Sequence, residues 1–276
     1  MSQKKLLEER IIELYNQGLS LQKVANFVGY KSANSVKNIL IKYGIQRRGT
    51  AGFKEPFKEN FFENIDSEEK AYFLGFLMAD GNVYVRKQSQ PCIRLEISVK
   101  DLEILERFKM EIESKNSICF DKRNCCSLKV HSCKMFNDLG KLGVIPNKTK
   151  HEIIPNINQD MMRHFIRGFF DGDGWCTNTT SHGKRKGSRK CIGFVSNYEF
   201  LDNLNIILNS EIGTRINKVV ERIGCSMLLY SSKKDVESLR EYMYNDATIY
   251  LKRKYDSCYK IYVNTERDWI TIPCNA

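Results

Sequence analysis

The sequence has no Cys-x-x-Cys pair, only four histidines, and no apolar run of the roughly 18 residues that would cross a bilayer. Its ten cysteines are scattered, with Cys125 and Cys126 adjacent, so neither a disulfide framework nor a closely spaced zinc-ligand set is written into it. Free thiols in a reducing intracellular setting fit that usage, in the cytoplasm or in an organelle matrix. The N-terminus, MSQKKLLEERIIELYNQG, is amphipathic and lacks the continuous apolar stretch of a signal peptide. Acidic residues are in short supply: 33 Asp and Glu against 44 Lys and Arg leave a formal charge of +11. That surplus favours a polyanionic partner, because each phosphate neutralised releases condensed counterions, and nothing in the sequence calls for a membrane.

What is present suits one large unit and a small one, or two of middling size, in a chain of 276 residues that is 42% hydrophobic. From Lys4 to Tyr43 the pattern predicts three short helices. Leu7, Ile11, Leu14 and Tyr15 recur at helical spacing until Gly18; Ser20 is placed to cap a second helix carrying Val24, Ala25 and Val28, stopped at Gly29. Ser32 is placed to cap a third, with Val36, Ile39, Leu40 and Tyr43 on its buried face. This is the helix-turn-helix plan, whose last helix enters the major groove. Lys31, Asn34, Ser35, Lys37 and Asn38 are then the residues expected to face DNA. Residues 1–46 are assigned to this unit and 47–60 to a linker, whose Arg47 and Arg48 are suited to follow a phosphate backbone.

Beyond residue 60 the chain repeats itself. FLGFLMADG at 73–81 is echoed by IRGFFDGDG at 166–174, which sets Asp80 and Asp173 93 positions apart. Each copy is followed by two strands, a helix, two strands and a helix. Ile93, Leu95, Ile97 and Val99 alternate with Arg94, Glu96 and Ser98, and Leu128 and Val130 alternate with Ser127, Lys129 and His131. In the second copy Ile192 and Phe194 share one strand, and Met227 and Leu229 alternate with Ser226, Leu228 and Tyr230 in another. Helices are predicted at 102–112, 133–142, 199–208 and 236–244. The fold class is α+β: two pseudo-symmetric αββαββα halves, 61–155 and 156–262, then a tail over 263–276.

Each repeated helix carries small residues four apart, Gly75 and Ala79 in one and Gly168 and Gly172 in the other. Residues so spaced share a face, so each helix offers a strip where another backbone can approach closely. If the strips meet, Asp80 and Asp173 end side by side at the negative ends of two helix dipoles. Gly81 and Gly174 are expected there as left-handed caps. Paired carboxylates in such a place call for a cation, and all-oxygen ligation favours Mg²⁺, with Mn²⁺ as a substitute. Such an ion suits phosphoryl displacement.

The two nonapeptides resemble the paired motifs of LAGLIDADG (dodecapeptide, DOD-type) homing endonucleases. The likeness extends through LGVIPNKT at 142–149 and YLKRK at 250–254, covering roughly residues 61–260. It implies two halves forming a concave β-saddle over double-stranded DNA, with metal held at Asp80, Asp173, Gly81 and Gly174. It also implies a basic residue near the scissile phosphate in each half, best matched by Lys148 and Lys254, with Lys150 and Lys252 as near alternatives. Two departures stand out. Met78 replaces an earlier Asp in the first motif, and Arg167 replaces a small apolar residue in the second, where it is expected to point away from the helix contact or to lie at its edge.

The expected activity is site-specific, Mg²⁺-dependent double-strand cleavage by a monomer that needs no protein partner, with a non-cutting regulator or an intron RNA maturase as the alternatives. Base and phosphate contacts are expected from Tyr84, Arg86, Gln88, Arg94, Glu96, Ser98, Lys129 and His131 in the first half. In the second they are expected from Thr177 and Thr179, and from a basic hairpin loop with Lys184, Arg185, Lys186, Arg189 and Lys190.

Overall fold

The computed structural model describes residues 3–45, 57–86, 89–181, 187–265 and 268–273. The chain divides into two compact units, 1–54 and 55–276.

The first unit holds α1 (Gln3–Asn16), α2 (Leu21–Phe27) and α3 (Ala33–Lys42). The Ser20 hydroxyl accepts from the Lys23 N–H and the Ser32 hydroxyl from that of Asn34, so both expected caps form. Ile11, Leu14, Tyr15, Val24, Ala25, Val36 and Leu40 close a small core. Tyr43, expected inside it, lies at the surface instead, because its hydroxyl donates to the Glu8 carboxylate at 2.6 Å. Lys42 reaches the same carboxylate at 2.7 Å, which ties the last helix to the first.

In the second unit the first half runs α4 (Glu68–Asp80), β1 (Gly81–Tyr84), β2 (Cys92–Ser98), α5 (Leu102–Glu111), β3 (Cys119–Phe120), β4 (Cys125–His131) and α6 (Cys133–Lys141). The second half runs α7 (Gln159–Asp173), β5 (Gly174–Ser181), β6 (Gly187–Ser196), α8 (Tyr198–Ile212), β7 (Val220–Arg222), β8 (Cys225–Tyr230) and α9 (Lys233–Tyr244). Their antiparallel sheets have the same order, β1-β2-β4-β3 and β5-β6-β8-β7, so the repeat seen in sequence is a repeat of topology. Register makes the equivalence specific. Gly81 pairs with Leu95 and Leu95 with Leu128; Gly174 pairs with Phe194 and Phe194 with Leu228.

One core runs through both halves. Phe73, Phe76, Leu95 and Leu128 join Phe165, Phe169, Phe194 and Leu228 in it. In β8 it is Ser226, Leu228 and Tyr230 that turn inward, while Met227 and Leu229 face out. Both sets are largely apolar, so alternation alone does not decide which face of that strand is buried.

Residues 57–60, expected in the linker, pack on this unit: Phe57 lies against its core and the Lys58 N–H donates to Ile112 O at 2.8 Å. After α9 the chain forms α10 (Lys252–Tyr259) and then a hairpin, β9 (Lys260–Thr265) with β10 (Asp268–Pro273), which takes up most of the tail expected over 263–276.

Candidate active site at the ends of the paired helices

α4 and α7 pack backbone to backbone. A Cβ on Gly75 would overlap Phe165 O and come within 2.7 Å of Phe169 N; one on Gly168 would overlap Tyr72 O and come within 3.0 Å of Phe76 N. These clashes are reciprocal, each 93 residues from its counterpart, as a pseudo-twofold axis between the helices requires. Further along, a Cβ on Gly172 would strike that of Ala79 and stand 3.4 Å from Asp80 Oδ2. The Asp80 carboxyl therefore lies beside Gly172, next in chain to Asp173.

Asp80 and Asp173 are the last residues of the two helices. Both are exposed, yet enough protein crowds each carboxyl to lift it above the usual range. Asp173 rises to about 6, through desolvation first and then the charge of Asp80, with Lys148 pulling the other way. Desolvation also raises Asp80, against the pull of Lys254, Lys148 and Arg253. Among the described residues neither carboxylate receives a side-chain hydrogen bond or ion pair. Two unneutralised acids side by side are a donor set that suits a hard cation, though among the described residues no third His, Cys, Asp or Glu completes a metal-binding cluster.

Gly81 and Gly174 do not take the left-handed cap expected of them. Their φ and ψ are −71° and 147°, and −88° and 168°, so each helix passes straight into a strand. Glycine is needed for room: a Cβ would come within 2.7 Å of the Leu77 side chain at Gly81 and overlap the Phe170 ring at Gly174.

A lysine closes each helix end. Lys148 donates to Ala79 O at 2.7 Å. Lys254, 7% exposed, donates to Phe170 O at 3.1 Å and Gly172 O at 3.4 Å, and to Gly174 O. Cations there answer unpaired carbonyls and the negative end of each dipole. Burial lowers both lysines from the usual ammonium range, and the neighbouring carboxylates partly restore them. Of the alternatives, Lys150 is exposed and Lys252 turns to Asp256 at 3.2 Å.

Arg167 takes the second of its two expected places, but buried rather than at the surface. It is 0% exposed, donates to Ile249 O and Met243 O at 2.8 Å each, and meets Glu68 of α4 at 2.5 Å. It flanks the helix contact, joined to the first turn of α4 and to the segment 243–249. Met78 is buried in the core, and its counterpart Asp171 is the hub of a network. Asp171 accepts from Tyr72 Oη at 2.8 Å, Tyr244 Oη at 3.1 Å and Leu251 N at 2.6 Å.

Other residues at the site escaped sequence reasoning. Arg253 clamps Asp101 of the first half with both Nε and Nη2, at 2.8 and 2.9 Å, which fixes α10 and hence Lys254. Glu152 adds a further negative charge near Asp173 and Lys148. Arg253 stands in the YLKRK segment, but its partner lies 152 positions away, and no local pattern announces it.

The expected DNA-facing residues divide. Lys31, Asn34 and Ser35 are exposed about the start of α3, with Lys37 half-buried. β1 stops at Tyr84; Arg86 lies past it, its guanidinium 5.2 Å from the Tyr84 ring centre. Arg94 and Glu96 form an ion pair on the outer face of β2, and Ser98 is occupied capping the turn at Lys100. Lys129 and His131 are exposed on β4, and Thr177 on β5. Arg189 and Lys190 sit in β6 rather than in a loop, and Lys190 donates to Ser257 O. Arg47, Arg48, Gln88, Lys184, Arg185 and Lys186 lie outside the described residues, as does the side chain of Thr179.

No family model matches the chain. It is 25% identical over 181 residues to an uncharacterised protein of Methanocaldococcus jannaschii, a match covering 63% of this chain and 65% of that protein's length. Among solved structures it is similar to the LAGLIDADG meganuclease I-AabMI bound to uncleaved DNA, with a TM-score of 0.54 at 12% identity over 70% of this chain and 88% of that one. I-SmaMI bound to cleaved DNA gives 0.52 at 13% identity, over 68% and 85% of the two chains. I-LtrWI bound to target DNA gives 0.51 at 13% identity, over 70% and 89%. The fold is that of the LAGLIDADG homing endonucleases.

Proposed function

We propose that this chain is a metal-dependent, site-specific DNA endonuclease. The observation that carries the reading is the pair of carboxylates, Asp80 and Asp173, without an ion pair among the described residues and set beside each other where two glycine-packed helices end. A protein that only gripped DNA would have no use for that repulsion. The similar structures include meganucleases bound to uncleaved and to cleaved DNA, and one bound to uncleaved target in the presence of calcium ions.

Asp80 and Asp173 would hold a divalent ion, Mg²⁺ or in its place Mn²⁺, which supplies water activation and charge neutralisation at phosphorus. Lys148 and Lys254 stand at the two helix ends, where a cation would answer the negative charge that builds on the phosphate oxygens. The reaction is hydrolysis: water oxygen bonds to phosphorus, the bond to the leaving sugar oxygen breaks, and that oxygen takes up a proton. The sheets present side chains to the major groove, with Arg94, Lys129 and His131 on the outer face of the first. The helical unit adds phosphate contacts through Lys31 and Lys37, and a single chain with internal pseudo-symmetry suffices for both strands.

The test is to incubate the full chain with duplex DNA carrying the uninterrupted insertion locus, with Mg²⁺ and with EDTA. Cleavage at one position with Mg²⁺ alone supports the reading. Specific binding with no cleavage under any divalent ion overturns it.

A further inference from the structure

The two sheets share a topology and a register, so their outward faces compare row by row. In the first half, one residue beyond the metal-site glycine, the cross-strand row is Asn82, Arg94 and Lys129; the row before it on β2 is Glu96, Ser127 and Cys119. The equivalent rows of the second half are Trp175, Gly193 and Leu229, then Val195, Met227 and Val220. Charge and hydrogen-bonding groups in one half are thus replaced by hydrocarbon in the other.

This apolar face is not spare core. Leu229 is 43% and Val220 39% exposed, and neither belongs to the buried cluster that holds Leu228 and Tyr230 on the other side of the sheet. A Cβ on Gly193 would overlap the six-membered ring of Trp175, so the indole lies flat across β6 and widens the hydrocarbon floor. Arg189 and Arg222, both exposed, stand at the two ends of the same face. The floor begins two residues after Asp173 on the same continuous backbone.

Resting on the DNA-cleaving reading above, we propose that the second half recognises its half-site through thymine 5-methyl groups in the major groove, while the first half reads base edges by hydrogen bonding. An occupant of this face must be anionic at its margins, to suit the arginines, and apolar in the middle. Duplex DNA meets both conditions only where thymines line the groove, because the 5-methyl is the one apolar group among the major-groove edges. Continuity of β5 with Asp173 brings the same duplex over both. A second copy of this chain, with its charge of +11, is the poorer fit for a face edged by arginine.

The test uses the full chain in EDTA, so that DNA stays intact, with a target duplex selected from a randomised pool. Thymines are then replaced by deoxyuridine in one half-site at a time, and Kd is read by fluorescence anisotropy. Each methyl lost in one half-site is expected to weaken binding about threefold to fourfold, as removal of a buried methyl does, and in the other half-site less than twofold. The doubly substituted chain Met227→Ser/Leu229→Ser, checked for an unchanged circular-dichroism melt, should lose that sensitivity. Equal sensitivity of the half-sites, or sensitivity unchanged in the substituted chain, overturns the proposal. So does a dimer in sedimentation that Leu229→Ser dissociates. A pool that yields no preferred sequence overturns the DNA-cleaving reading itself, and this proposal with it.

Discussion

Arg167 of α7 and Glu68 of α4 form an ion pair of 2.5 Å across the contact between the two motif helices, with the guanidinium wholly buried. Two backbone carbonyls and the face of Tyr72, 5.6 Å from the guanidinium carbon, complete its surroundings. Glu68 in turn accepts from the N–H groups of Thr248 and Ile249 at 2.8 and 3.2 Å, so one pair fixes both helices and the segment leading to α10. Burial pulls the guanidinium down from its usual range and the carboxylate of Glu68 partly restores it.

Arg167→Ala leaves a partly buried Glu68 without its cation and two carbonyls without donors. Removing one partner of a buried pair costs on the order of 3–5 kcal/mol, so the melting temperature should fall by many degrees. A fall within a degree or two in thermal denaturation would show that the pair is not structural.

Gly75→Ala and Gly168→Ala should each destabilise the fold, because a single added carbon overlaps the facing backbone. Overpacking of this kind costs about 1–3 kcal/mol or more. Gly140→Ala in α6 is the control: nothing lies within 4 Å of its Cβ position, so it should be neutral or stabilising by roughly 0.5–1 kcal/mol. Urea denaturation of the three variants decides it, and equal midpoints would separate the helices.

His164 supplies a pH signature away from the catalytic end. Burial first, then the charge of Arg167, depress it from the usual 6.5 to about 4, against a smaller pull from Glu68. Its Nδ1 is buried without a hydrogen-bond partner. A depressed histidine stays neutral in the folded chain while the unfolded chain takes up a proton. Its contribution is therefore full above about 6.5 and lost as pH falls towards 4, by on the order of 3 kcal/mol. His164→Gln should remove that part of the slope between pH 6.5 and 4; parallel stability curves for variant and parent would refute the assignment.

A chain beginning at Phe57 retains the second unit but for its first two residues. It should still cleave, bind more weakly, and show a shallower dependence of affinity on salt, since it lacks Lys31, Lys37, Arg47 and Arg48, the residues proposed to contact phosphates. Its footprint should shorten on one side only, because the helical unit occurs once. Salt slopes and footprints identical to those of the full chain would remove DNA contact from that unit.

The repeat was legible because it is local: Gly75, Ala79, Asp80 and Gly81 recur as Gly168, Gly172, Asp173 and Gly174 at one offset, and helix spacing says which of them share a face. The order of helices and strands along each half followed from the same repetition. What sequence could not show was partnership at a distance. Arg167 looked out of place in a helix contact because Glu68, Met243 and Ile249, which satisfy it, are 76 to 99 positions away. Gly81 and Gly174 invited a conformational reading, whereas Leu77 and Phe170 require them for space. In β8 both faces are apolar, so Met227 and Leu229 gave no hint that they face outward.

The central claim, that Asp80 and Asp173 together hold the catalytic ion, is tested most directly by Asp80→Asn and Asp173→Asn, each assayed on one target duplex for binding and for cutting. Amide for carboxylate keeps the shape while removing the charge that draws a cation. Both variants should bind the target within a few-fold of the parent, and neither should make a double-strand break with Mg²⁺ or Mn²⁺. Cleavage by either variant at the parental rate would contradict the account.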